Sequence, residues 1–269
     1  MAISSLKTGV ISPNSLLAGN TAAFYPTNIA NLKAWYDASD TATITASGSA
    51  VTQWNDKSGN AFNVTQGTSA QRPVTGTRTQ NGLNMIDFQS NDLLQAATAS
   101  DWTFMSNATG CTVFVAAFYD TDSAERIIYT TNAATTANVG HEAYLNTSDV
   151  LCSDTSRGVG GTLVSNALAL GTLTDNTAKY FSLKVDNANA TAANRLLARI
   201  NNGAETGGNV QTGTVSTSAP ATPLFIGAYN TSGGSGFNGG ICEMIFYSGI
   251  LSDADILKVN NYLAAKWAI

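Results

Sequence analysis

Short runs of β-branched and aromatic residues, each cut off by a cluster of Gly, Asn, Ser or Asp, recur along most of this chain. The runs are Leu32–Ala38, Val51–Trp54, Leu83–Phe88, Cys111–Tyr119, Arg126–Thr130, Lys179–Asp186, Arg195–Asn201, Pro223–Tyr229 and Gly240–Tyr247. Several alternate with period two, as where Phe181, Leu183 and Val185 interleave with Ser182, Lys184 and Asp186. That alternation marks a strand with one buried face. The intervening segments, such as DKSGN at 56–60 and NTSGGSGFNGG at 230–240, have the chemistry of turns. Many short strands joined in this way predict an all-β sandwich or barrel. No repeat of 20–50 residues is visible, which argues against a propeller or a solenoid.

One segment departs from this rhythm. After Ser252 and Asp255, a variant capping box, Ile256, Val259, Leu263 and Trp267 recur at helical spacing. A helix over about 253–266 is predicted, laid on the sandwich by its apolar side. At the other end, residues 1–31 lack sustained periodicity and contain Pro13 and Pro26. They read as an extended arm that docks on a neighbour through Leu6, Val10, Ile11, Leu16, Leu17, Phe24 and Tyr25. The domain proper is expected over 32–269.

Composition narrows the function. Charged residues make up 12% of the 269 and hydrophobic residues 43%, whereas a soluble domain carries about 25% charged residues. Solubility then rests on Thr, Ser, Asn and Gly, a surface style common in extracellular and virion proteins. The net charge of −5 and the scattered Lys and Arg argue against nucleic-acid binding. No apolar run approaches the roughly 20 residues of a membrane-spanning helix. The N-terminus has no apolar core of a secretory signal, so export by that route is not expected. Cys111, Cys152 and Cys242 contain no Cys-x-x-Cys pair, and Cys111 and Cys242 read as buried thiols.

Three stretches resemble the LamG-like, concanavalin A-like jelly-roll superfamily. They are LKAWYDASD at 32–40 with VTQWNDKSGNAFN at 51–63, NGLNMIDFQSNDLL at 81–94, and the closing block at 224–269 that ends in a helix and Lys-Trp. The resemblance implies two stacked antiparallel sheets of six or seven strands each, and a binding module for carbohydrate or protein. Such modules also occur in bacteriophage virions. The arm is similar to N-terminal segments of phage tail and head-decoration proteins.

Glucanases of that superfamily place Glu-x-Asp-x-(x)-Glu on one strand, and retaining hydrolysis needs its carboxyl groups about 5–5.5 Å apart. The glutamates here, Glu125, Glu142, Glu205 and Glu243, are far apart in sequence, and none has an Asp two residues on. The enzymatic reading loses its motif, although a mixed Asp–Glu pair from distant strands stays open. His141 is the only histidine and reads as an exposed or locally bonded loop residue. Calcium is the cofactor to weigh, with Asp120 and Asp122 as the better candidates and Asp87 with Asp92 the lesser, Asp92 fitting a turn cap. Trp35, Trp54 and Trp267 read as core. Trp102, in the loop ASDWTFMS, is the freest aromatic and joins Tyr229, Asn230 and Asn238 as a candidate ligand contact.

The leading expectation is a non-enzymatic virion subunit, a capsid-decoration or tail-associated protein made in the host cytoplasm. It would form homo-oligomers and bind a major capsid or tail protein. A carbohydrate-binding module, extracellular and directed at cell-surface glycans, is the alternative, and a glycoside hydrolase the remote one.

Overall fold

The computed structural model describes residues 23–120, 124–132, 139–156, 163–166, 173, 176–207 and 214–269. In chain order the strands begin β1 (Leu32–Asp37), β2 (Ile44–Ser47), β3 (Ala50–Trp54), β4 (Val64–Thr65), β5 (Val74–Gln80), β6 (Leu83–Phe88), β7 (Leu94–Gln95), β8 (Cys111–Tyr119) and β9 (Arg126–Thr130). They continue β10 (His141–Leu145), β11 (Leu151–Ser156), β12 (Leu163–Asn166), β13 (Thr177–Val185), β14 (Leu196–Ile200), β15 (Thr206–Gly207), β16 (Phe225–Ile226) and β17 (Gly239–Ser248). Among the described residues one α-helix, α1 (Asp253–Trp267), follows.

The strand pairings are antiparallel and resolve into two layers. The back sheet runs β15-β14-β13-β8-β17, and β17 then pairs with β6 through its first half and with β1 through its second. The front sheet runs β12-β11-β10-β9-β16-β7-β4-β3-β2. A single register pair, Ala50 with Val74, ties β3 to β5 and so joins the layers. Between them lies the main core, with Val113, Val115 and Ala117 of β8 against Ile128, Tyr129, Ala143 and Leu145 of the front sheet. This is the all-β two-sheet sandwich that the turn-punctuated alternation predicts. The expected strand at Pro223–Tyr229 is shorter, only Phe225–Ile226, because Gly227 takes φ +90° and closes it.

Helix α1 covers the outer side of the back sheet. Its predicted apolar residues Ile256, Val259, Leu263 and Trp267 all lie buried against Phe114, Ala116, Tyr180 and Ile245. Ser252 is the N-cap, its Oγ accepting the Asp255 N–H at 3.2 Å. Ser252→Ala should therefore cost about 1 kcal/mol, read as a small fall in the urea midpoint with the slope unchanged. Residues 24–31 of the expected arm lie on this same side. Ile29 joins the helix-side cluster, and the Pro26 carbonyl accepts the Tyr247 hydroxyl at 2.8 Å. Leu6, Val10, Ile11, Leu16 and Leu17 lie outside the described residues.

Candidate functional site

Among the described residues no α-helix packs on the outer face of the front sheet. Register alone lines up one side chain from each successive strand there. Gln53 of β3 pairs with Thr65, Thr65 with Gln95, Gln95 with Phe225, Phe225 with Thr130, Thr130 with Glu142, and Glu142 with Asp154. Their neighbours one residue away, Trp54, Val64, Leu94, Ile226, Tyr129 and Ala143, belong to the core. Side chains alternate across a strand, so the row points away from the core. It offers amide, hydroxyl, amide, ring, hydroxyl and two carboxyls in sequence. At one end Thr65 is exposed and Gln53 and Gln95 half-buried; Phe225 is buried with Leu93 and Ala228, and Thr130, Glu142 and Asp154 are buried at the other end.

The buried end is acidic and aromatic. Ile127, Tyr144 and Cys152 cluster on the same face with Tyr229 packed against them. The Tyr229 hydroxyl donates to Glu125 Oε1 at 3.3 Å. The loop carrying Tyr229 is held in place by the Ile127 N–H to Ser235 carbonyl bond at 2.8 Å and the Phe237 N–H to Gly227 carbonyl bond at 2.7 Å. Gly236 makes this possible, since a Cβ there would stand 2.0 Å from the Ser90 carbonyl oxygen.

Burial, with the negative charge of Asp154 next in size, pushes the Glu142 carboxyl up to about 8. It is protonated at neutral pH and hydrogen-bonds to Asp154. The Thr130 hydroxyl lies 3.3 Å from Glu142 Oε2 and accepts the Asn132 N–H at 2.9 Å. Asn132 is fully buried, and neither of its side-chain amide atoms has a hydrogen-bond partner. A buried amide without partners is rare and calls for a polar occupant such as water or ligand.

Several predicted site residues fall elsewhere. Trp102 is not a surface platform but 1% exposed, in a 3-10 helix over Ser100–Met105. Its ring packs between Phe62, Phe104 and Phe246, so three apolar neighbours close the end of the sandwich over it. His141 is no loop residue. It sits fully buried in β10 with Nε2 3.1 Å from the Tyr129 hydroxyl, and burial drives its imidazole down to about 3. Asp120 gives both carboxylate oxygens to the Arg78 guanidinium, at 3.0 and 2.9 Å, which leaves no free carboxylate for calcium. Asp122 lies outside the described residues, and among the described residues no His, Cys, Asp or Glu group is arranged to hold a metal. Asp87 stands beside the same guanidinium, and Asp92 caps its own turn by accepting the Gln89 N–H at 2.8 Å. Of the predicted ligand contacts, Tyr229 packs on the front-sheet face. Asn230 and Asn238 are both half-buried; the Asn230 side chain accepts the Ser232 N–H within its loop, and the Asn238 backbone carbonyl accepts the Asp120 N–H.

No family model matches the sequence, and no curated protein matches it either. Solved structures do match in fold. The Ruminococcus gnavus IT-sialidase CBM40 bound to alpha2,3 sialyllactose superposes with TM-score 0.50 at 14% identity, over 65% of this chain and 95% of that one. Trypanosoma rangeli sialidase, in complex with 2,3-difluorosialic acid, gives 0.56 at 11% identity, over 88% of this chain and 33% of that one. This chain has a jelly-roll fold. The jelly roll spans only a third of the Trypanosoma sialidase chain, and at these identities the likeness extends to fold alone.

Residues that sequence reasoning missed here are Glu142, Tyr144, Asp154, Thr130 and the glutamine pair. A signal existed in HEAYL, where His141, Ala143 and Leu145 alternate with Glu142 and Tyr144.

Proposed function

We propose that this jelly roll is a non-catalytic carbohydrate-binding module whose ligand lies along the outer face of the front sheet. The observation that carries the reading is the in-register row Gln53–Thr65–Gln95–Phe225–Thr130–Glu142–Asp154 on a face that no α-helix of the described residues covers. Sugar rings need hydrogen-bonding groups of both kinds for their hydroxyls and an apolar surface for their C–H faces. The half-buried and exposed part of the row supplies the first, and the partly exposed ring of Tyr229 supplies the second. The fold neighbours include a carbohydrate-binding module solved with a glycan, which agrees with this reading.

The Glu142–Asp154 pair is the one mixed Asp–Glu arrangement that invites comparison with a hydrolase. Its carboxyls hydrogen-bond to each other directly, closer than the roughly 5–5.5 Å that a retaining pair keeps for its substrate. That supports binding over turnover.

A glycan array followed by calorimetry tests the reading. Gln95→Ala and Tyr229→Ala are each expected to weaken the best ligand by about fivefold or more, as each removes a hydrogen bond or an aromatic contact worth roughly 1 kcal/mol or more. Binding to no glycan, or binding indifferent to both substitutions, would sink it.

A second reading, assembly into a virion through the N-terminal segment, is favoured by one feature. A largely apolar groove of about 870 Å³ opens between Phe24, Tyr25 and the Tyr262–Lys266 side of α1, where the described chain begins. Removing residues 1–22 should abolish particle incorporation while leaving Ile29 and the folded domain in place; undiminished incorporation counts against it.

A further inference from the structure

We infer that this chain's own N-terminal segment, residues 1–22, seats in cis in the groove between Phe24–Tyr25 and the outer flank of α1. The inference is independent of glycan binding on the front sheet, and it gives the groove a different occupant from the assembly reading. The groove holds about 870 Å³ and is walled by the rings of Phe24, Tyr25 and Tyr262 and by Ala265, Lys258 and Lys266. Phe24 and Tyr262 meet edge to face with ring centroids 5.9 Å apart, which fixes one wall. Tyr25 is 51% exposed, and Leu257, one turn before the groove residue Asn261, is 40% exposed. Contiguous apolar surface of this kind marks a docking site.

Continuity, reach and charge name the occupant. The described chain begins at Ala23, which itself lines the groove, so residues 1–22 leave from its mouth. Their sequence carries Ile3, Leu6, Val10, Ile11, Leu16 and Leu17 and no Asp or Glu, with Lys7 as the sole charged side chain. Leu17 and Leu16 stand six and seven residues before Ala23, a reach of roughly 20–25 Å if extended. The 15 residues of α1 rise about 22 Å, so both leucines can reach along the helix wall. A second cavity of about 390 Å³ shares Tyr25, Tyr262 and Lys266 with the groove and adds Asp37, Asp40 and Lys57. Counting Glu243, which Lys266 contacts, three carboxylates there meet two ammoniums. The excess negative charge suits Lys7, and Asp40 is the carboxylate with room, its side chain 39% exposed. Such a surface pair adds little energy; apolar burial holds the segment, and the pair sets which way it lies. A tethered segment has an effective concentration on the order of a millimolar, above that of any free copy at micromolar levels.

Trypsin cleavage after Lys7 on the full chain reads the seat directly, timed by mass spectrometry against a free peptide of residues 1–22. Lys7 in the protein is expected to be cut at least about tenfold more slowly than in the peptide, because cleavage needs the released state. Ala265→Glu puts a charge on the groove wall at an exposed position. It should raise the rate at least about fivefold, with the circular dichroism spectrum unchanged. Leu16→Asp with Leu17→Asp, placed on the segment itself, should do the same and carries the test if the helix variant fails to fold. Cleavage at the peptide's rate in wild type overturns the inference, and so does protection that neither variant relieves. Protection lost on about a hundredfold dilution also overturns it, since the occupant is then a second copy and the assembly reading gains.

Discussion

Replacing Glu243 with alanine is expected to destabilise the protein more than any other single substitution on its surface-facing layers, by about 3–5 kcal/mol. Glu243 is fully buried between β17 and α1 and accepts four donors. Its Oε1 takes the Trp35 indole N–H at 2.6 Å and the Tyr262 hydroxyl at 2.8 Å. Its Oε2 takes the Lys266 ammonium and the Trp267 indole N–H, both at 2.8 Å. Lys266 reaches on to Asp37 at 2.7 Å, and Asp37 to Lys57 at 2.8 Å. Removing one carboxylate thus leaves the half-buried Lys266 ammonium with two of its three partners, Asp37 and the Tyr262 hydroxyl, and two buried indoles with none. Such orphans, more than the lost attraction, set the cost. For a domain of this size the melting temperature should fall by roughly 10 °C. Glu243→Leu combined with Lys266→Met should cost less than the two single changes added together, because the pair is then removed whole. A Glu243→Ala melting temperature within about 2 °C of wild type would refute the account.

The second large effect is a pH dependence centred on Glu142. Its folded value of about 8 stands above the ordinary 4.5, chiefly through burial and then through Asp154. Between those limits the native protein holds a proton that the unfolded chain has released. The unfolded state binds fewer protons there, so this group's contribution to stability is full below the unfolded value and is lost as pH rises through about 8. The loss amounts to several kcal/mol, because each tenfold difference in proton affinity between the folded and unfolded chain is worth about 1.4 kcal/mol. Glu142→Gln keeps a donor toward Asp154 and an acceptor toward Thr130 but cannot ionise. Its urea midpoint should match wild type near pH 4–5 and exceed it clearly at pH 8–9. His141, driven down to about 3 by burial, acts in the opposite sense at acid pH, where the unfolded chain takes the proton. It is present in both proteins and cancels in the comparison. Parallel pH profiles for the two proteins would show that Glu142 is not held protonated.

Legibility in the sequence followed burial on one face or on both. Helix α1 could be read to its cap because Ser252 and the 256–259–263–267 stripe are local signals. So could β8, β13 and β17, whose inward residues are apolar without interruption. Strands β10 and β11 were missed: HEAYL alternates, but its inward row opens with His141 and that of β11 carries Ser153 and Thr155, so the polar residues mask the core face. Trp102 was misplaced for the opposite reason. Its flanks are polar and loop-like, yet Phe62 and Phe246, distant in sequence, arrive to bury it.

Glu243 shows most directly what lay beyond sequence. A register shift between Ile241 and Glu243 in the β17–β8 pairing interrupts strict alternation. Ile241 and Met244 face the main core, while Cys242 and Glu243 both turn to the helix. Pattern reading cannot anticipate that, because a bulge is one extra residue whose position depends on the partner strand. By itself the sequence determined that this chain forms strands, turns and one capped helix, because propensity, alternation and capping act over a few residues. Only the tertiary structure decided which polar side chains meet, because strand register is a contact between distant segments. It drew Thr130, Glu142 and Asp154 into one row, and it set Glu243 among two tryptophans, a tyrosine and a lysine.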